Sequence, residues 1–236
     1  MAISTKFRSN DSEIMDDFDL EGNKIKDALD KIVKINQLLG GNRLTLQSVK
    51  KIIQNLDKKT PITILDIGCG NGDMLRVLAK YGYKNNFNFK LIGVDANLHT
   101  IDYAEKLSTD YYNIEYFSMN IFEEQFVELK YDIVLCTLTL HHFNNDKILE
   151  LLKILYQNSK LAIVINDLHR SKIAYFLFQM ISIIFNLNKM TKHDGLVSIL
   201  RGFKKSELID FSEKMKFQIY KIQWKWAFRY QWIIQK

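Results

Sequence analysis

The sequence predicts an α/β fold: a doubly wound, mostly parallel sheet with an antiparallel last strand, preceded by an N-terminal helical cap. Three observations carry this expectation. From about residue 60 to 166, short apolar runs alternate with amphipathic helical stretches, the pattern of a parallel sheet covered on both faces. Two β-rich runs, 217–224 and 226–234, lie almost back to back at the end of the chain, as an antiparallel hairpin on a sheet edge requires. Two helical stripes come before any strand-like run.

Residues 1–20 are polar and acidic and read as a mobile tail. Asn23 to Leu39 carries Ile25, Ala28, Leu29, Ile32, Val33, Ile35, Leu38 and Leu39 as a helical stripe, and Gly40-Gly41 ends it. Leu44 to Leu56 repeats the pattern. Pro61, the single proline, then introduces a strand over 62–67. Further strands are expected near 88–95, 112–118, 130–136 and 160–166, with helices near 72–82, 97–108 and 145–157. After Arg170 the rhythm breaks. An apolar helix over 171–187 is followed by a polar connector, Asn188 to Gly202, and a helix near 204–214. The expected organisation is a tail and cap over 1–58 and a main domain over 59–236, with a lid insertion at about 171–203.

Composition narrows the function classes. Hydrophobic residues make up 47% and charged residues 25% of 236 positions, which excludes wholesale disorder. Two cysteines, Cys69 and Cys136, exclude a disulfide scaffold and offer no zinc spacing, so no metal is expected. The N-terminus lacks an apolar leader, and the longest apolar stretch, 173–187, falls short of the ~18 residues of a membrane span. A cytoplasmic protein without a transmembrane segment is expected. Net charge is +6, and 201–236 holds nine basic against three acidic residues, so the whole excess sits there. A nucleic-acid or anionic-membrane surface is one reading. Solvated edge lysines are the favoured one.

The most informative motif is Ile64-Leu65-Asp66-Ile67-Gly68-Cys69-Gly70-Asn71-Gly72-Asp73. A strand ends, a glycine turn follows and a helix begins, bringing free backbone N–H groups close to a ligand. The third glycine of a dinucleotide loop is absent, and Asp66 and Asp73 would repel a pyrophosphate. A ligand with a cationic amine or sulfonium suits the loop better. Asp95 ends the next strand, Leu91-Ile92-Gly93-Val94-Asp95-Ala96, where an acid accepts from a ribose diol. Alternatively, or as well, it caps the helix that follows.

These residues resemble the class I S-adenosylmethionine-dependent methyltransferases. LDIGCGNG is similar to their first motif, GVDAN to their second, and Tyr131 to Phe143 to their fourth-strand motif. The resemblance spans about 60–236 and implies a seven-stranded Rossmann-like sheet with the last strand antiparallel. It implies S-adenosylmethionine as cofactor and S-adenosylhomocysteine as product. Asp66, Gly68, Gly70 and Gly72 would hold the methionine moiety, Asp95 the ribose, and Asn120 the adenine. Cys69, Ala96, Ile121 and Cys136 complete the expected cofactor-binding set. A second resemblance rests on Ile35–Gly41, Ile165–Ser171, His193-Asp194-Gly195 and Arg201-Gly202-Phe203. It points to bacterial enzymes related to ubiquinone and menaquinone biosynthesis, some of which modify phenols or polyketides.

Methyl transfer is an in-line displacement, and a phenol acceptor, with a pKa of ~10, gains from a base. His141 and His142 leave the fourth strand at the carboxyl edge, where ligands sit in such sheets, and are the expected catalytic pair. Adjacent residues leaving a strand point opposite ways, so one should face the pocket. Their alternative reading is that they close the strand and cap the next helix. Asp167, His169, Arg170, His193 and Arg201 are the expected acceptor-binding residues. Asp167 would orient a histidine or accept an acceptor hydroxyl. Arg170 reads first as a surface ion pair and second as an anion binder. The helix over 171–187 is apolar nearly all round, so it roofs a cavity or forms a core or homodimer interface. The expected partner is a small hydrophobic aromatic, phenolic or polyketide acceptor, methylated on oxygen, with no nucleic acid. The alternatives are an RNA methyltransferase using the basic C-terminus and a cofactor-binding protein without transfer activity. Against RNA, Cys136-Thr137-Leu138-Thr139-Leu140 lacks the proline-rich motif of base-amine methyltransferases.

Overall fold

A computed structural model describes residues 3–236. The strands are β1 (Ile62–Ile67), β2 (Phe89–Asp95), β3 (Ile114–Ser118), β4 (Tyr131–Thr137), β5 (Ser159–Leu168), β6 (Ile219–Lys225) and β7 (Arg229–Gln235). They form one sheet in the order β3-β2-β1-β4-β5-β7-β6. β1 to β5 pair in parallel, and β7 runs antiparallel to both β5 and β6. The doubly wound sheet with an antiparallel last strand is therefore present. The order reverses beside β1, which opens a crevice at the carboxyl ends of β1 and β4.

Helices are α1 (Asn23–Leu38), α2 (Gly41–Ile53), α3 (Asp73–Asn85), α4 (Leu98–Leu107), α5 (Glu124–Val127), α6 (Asn145–Asn158), α7 (Lys172–Ile184), α8 (Lys189–Arg201) and α9 (Lys205–Lys214). Successive strand residues point to opposite faces, so the sheet divides the core in two. One half joins Leu65, Val134, Ile163 and Trp232 to α6 and α9. The other joins Ile64, Leu91, Ile133 and Val164 to α3 and to Val49 and Ile53 of α2. α2 thus covers a face of the sheet rather than standing off as a cap.

Two local expectations are corrected. Over residues 3–20 the expected mobile tail is packed onto the domain, residues 1 and 2 lying outside the described residues: Ser9 N donates to Leu200 O at 3.0 Å, a 3₁₀ turn spans Ile14–Asp16, and Glu13 is buried. The polar connector 188–202 is the helix α8, whose Asn188 side chain caps it by accepting from Thr191 N. α7 is not enclosed. Among its residues only Ala174 and Ser182 are buried, while Ile173, Phe176, Met180, Ile183 and Ile184 stand exposed. No described helix is long and apolar enough to cross a membrane.

Candidate active site

The turn after β1 takes the backbone into the left-handed region at Gly68, Gly70 and Gly72. Sterics add to this at two of them. A Cβ at Gly68 would fall 2.5 Å from Thr139 Oγ1, and one at Gly72 would fall 1.9 Å from Tyr116 Oη. The loop is clamped from β2: Asp95 Oδ2 accepts from Gly70 N, and Oδ1 from Asn97 N, both at 3.1 Å. Asn97, not Asp95, caps α4. The loop is also tied to the N-terminal helices, because Gln37 Nε2 donates to Asp73 at 2.9 Å and Asn42 donates to the same carboxylate. Asp66 lies beneath the loop, 3% exposed. Burial, with Asp95 and Asp73 adding like charge, pushes its carboxyl up to about 8.

A cavity of about 830 Å³ opens beside this loop. Asp66, Gly68, Cys69, Gly70, Asp95, Ala96, Asn120 and Ile121 line it, as do His141, His142 and His169. The remaining expected site residues do not. Gly72 turns its back to Tyr116, and Cys136 is sealed in the core of β4. Asp167 is buried behind His141. Arg170 is no surface ion pair: it is wholly buried, paired with Glu207 at 2.7 Å, and donates to the carbonyls of Thr5, Lys6 and Gly202. Arg201 is held by Asp16 at 2.7 Å and by the carbonyls of His141 and His142. His193 faces away from the cavity with Asp194 3.0 Å from its Nδ1.

The two histidines differ sharply. His141 is 2% exposed, with Nδ1 2.7 Å from Asp167 Oδ1 and Nε2 3.5 Å from Glu13 Oε1. Burial disfavours its charged form, but Asp167 and then Glu13 outweigh that and push the ring up to about 9. Its side chain is therefore a clamped imidazolium at neutral pH. His142 is more open to the cavity, with Nδ1 2.6 Å from Asp16 Oδ1. Burial opposes ionisation of Asp16, but His142 and Arg201 hold it well below the usual carboxylate range. Ring nitrogens of His141 and His142 and an oxygen of Glu13 lie within 4.8 Å of one another.

Sequence reasoning missed the residues that the N-terminal segment and the hairpin bring here. Glu13, Asp16 and Phe18 line the cavity, as do Trp226 and Arg229. Ile14 N and Met15 N donate to Asp194 at 2.8 and 3.0 Å, which fastens the segment to α8. Arg8 donates to the carbonyls of His141 and Phe143 at 2.9 and 2.8 Å. A short acidic stretch carries no period that distinguishes such a strap from a solvated tail.

Residues 64–160 match a protein family described as a methyltransferase domain. No curated protein matches the chain. Among solved structures, the plantazolicin methyltransferase BpumL in complex with SAH is similar over 88% of this chain and 89% of its own, with 21% identity and a TM-score of 0.65. The CurJ carbon methyltransferase is similar over 81% of this chain and 53% of its own, with 15% identity and a TM-score of 0.61. The magnesium protoporphyrin IX methyltransferase ChlM from Synechocystis PCC 6803, with bound SAM, covers 92% of this chain and 85% of its own, with 14% identity and a TM-score of 0.54. At these identities the likeness is one of fold. The family match runs from β1 into β5, through the glycine loop, Asp95, Asn120 and both histidines, so this chain carries a methyltransferase domain on the class I fold and is an S-adenosylmethionine-dependent methyltransferase.

Proposed function

We propose that the chain moves the methyl group of S-adenosylmethionine to oxygen on a small, hydrophobic aromatic, phenolic or polyketide acceptor. One observation carries this reading: a single cavity joins the acidic glycine loop to the histidines and to an apolar wall. That wall comes from Ile25, Leu29 and Ile32 of α1 and from Leu177, Phe178 and Ile181 of α7. Its volume is near the upper end of the ~300–1,000 Å³ usual for one ligand, which suits a cofactor and an acceptor side by side. Asp66, Gly68, Cys69 and Gly70 would take the methionine end, with the Asp66 carboxylate facing its ammonium. Asp95 and Ala96 would take the ribose, and Asn120 and Ile121 the adenine.

The reaction needs the acceptor oxygen, the methyl carbon and the sulfur in line, with water kept out. As the acceptor oxygen bonds to the methyl carbon, the carbon–sulfur bond breaks and its electron pair stays on sulfur. The acceptor proton must go elsewhere. His141 already holds a proton between two carboxylates, so His142 is assigned that proton, with Asp16 Oδ1 2.6 Å from its Nδ1 fixing the ring's orientation. His141 and Asp167 position it from behind. Labelled methyl transfer in extract of the source organism, with the product identified by mass, tests the acceptor class. With that acceptor, His142→Ala should lower turnover by ~100-fold or more at pH 7, and by less at high pH, with S-adenosylhomocysteine affinity unchanged. Near-full turnover in that variant at pH 7 would remove the base assignment, and a labelled nucleic acid or protein would remove the acceptor class.

A further inference from the structure

Three arginines lie buried around this cavity, and the chain satisfies two of them. Arg170 and Arg201 have carboxylates and carbonyls of the chain on their guanidinium groups. Arg229 has none in hydrogen-bond contact, only the Asp167 carboxylate acting on it through space: it is 3% exposed, lines the cavity, and its Nε and Nη1 find no hydrogen-bond partner. Beside it, Asn36 donates through Nδ2 to Asn42 at 2.6 Å, but its Oδ1 is also unpartnered. Both side chains converge on the one place where α2 begins without a side chain. A Cβ at Gly41 would fall 1.9 Å from Asn36 Oδ1 and 2.9 Å from Arg229 Nη1. An unpaired buried cation is strongly disfavoured, and a guanidinium fork matches a carboxylate in two parallel hydrogen bonds.

From this we infer that Arg229 is the receptor for an anionic group, by chemical class a carboxylate, on the methyl acceptor. The inference rests on the methyl-transfer reading and narrows its substrate class to acceptors that carry an acid. The acceptor is favoured over the cofactor's own carboxylate by position. Arg229 opens β7, three strands from β1 and its Asp66, and shares its stretch of wall with Trp226 and Phe228. The cofactor's ammonium and carboxylate share one carbon, so an ammonium on Asp66 keeps its carboxylate on the β1 side.

The test uses the full chain saturated with S-adenosylhomocysteine and a matched pair of probes, a hydroxynaphthoate and the naphthol lacking its carboxylate. Calorimetry should show the naphthoate binding about 10-fold or more tightly than the naphthol. Arg229→Gln should bring the two together, Arg229→Lys should keep part of the preference, and cofactor-product affinity should change less than twofold. Melting of the ligand-free Arg229→Gln protein should be unchanged or higher, because an unpaired charge has been removed. The wild-type protein alone already decides the matter if it prefers the naphthol or binds both equally, which overturns the inference. So does a preference that survives Arg229→Gln. A large loss of S-adenosylhomocysteine affinity in that variant assigns the arginine to the cofactor and overturns it too. Methyl transfer that persists with no such selectivity leaves the proposed reaction standing and removes only the acidic acceptor.

Discussion

At the scale of single residues, the site is governed by charges that have left water. Asp66 is the clearest case, because its carboxyl is pushed up to about 8 by burial and by Asp95 and Asp73. An ammonium arriving on it favours the ionised form, so binding should expel a proton. S-adenosylmethionine affinity should therefore rise with pH up to about 8. Calorimetry at pH 7 in buffers of different ionisation enthalpy should show proton release, and Asp66→Asn should abolish it. His141 makes the opposite prediction for folding. Its ring is raised from the ordinary 6.5 to about 9, so its contribution to stability is fully present below 6.5 and is lost as pH rises through about 9. Denaturant unfolding should show stability falling over that window, and Asp167→Asn should flatten the slope. A wild-type profile already flat there would remove the clamped imidazolium.

At the scale of elements, the N-terminal segment and the first two helices do different jobs. Residues 8–16 strap α8 and the carbonyls after β4 through Arg8, Asp16 and the Asp194 carboxylate. α1 and α2 instead hold the glycine loop through Gln37 and Asn42, and α2 completes the core beside β1. Removing residues 1–20 should therefore leave S-adenosylhomocysteine binding within a few-fold while transfer falls steeply. Removing 1–57 should lose both, since the loop and one core face go with it. Calorimetry and labelled transfer on the two truncations, with far-ultraviolet circular dichroism as the fold check, separate the roles. Equal losses in a folded 1–20 deletion would count against a strap that serves catalysis.

At the scale of the whole molecule, the hairpin that ends the chain locks the sheet and finishes the cavity. Trp232 sits fully buried at its centre, opposite Ile165 on β5 and Ile222 on β6, and packs edge-on against Phe217. Trp232→Ala should cost about 3–5 kcal/mol by emptying a large, well-walled site. The denaturant midpoint should drop accordingly with little change in slope. A loss under 1 kcal/mol would show that the hairpin is peripheral to the core. Because β7 also delivers Arg229, any slip of its register would move the cavity wall with it.

The sequence by itself determined the layered sheet, the glycine loop and the acids at the ends of β1 and β2. Those features live in local periodicity and in short motifs whose backbone demands are read within a dozen residues. It also placed both histidines at the carboxyl edge of β4. Only the tertiary structure decided which histidine is clamped, because that depends on Asp167 and Glu13 arriving from elements distant in sequence. The same holds for the arginines. Arg170 and Arg201 looked available for an acceptor, but Glu207 and Asp16 fold onto them, whereas Arg229, in an ordinary strand pattern, was left without a hydrogen-bond partner on Nε and Nη1. A charged side chain carries no sequence signal for what will face it. The pairing is set by long-range packing, and burial then makes it decisive by removing the water that would have screened it.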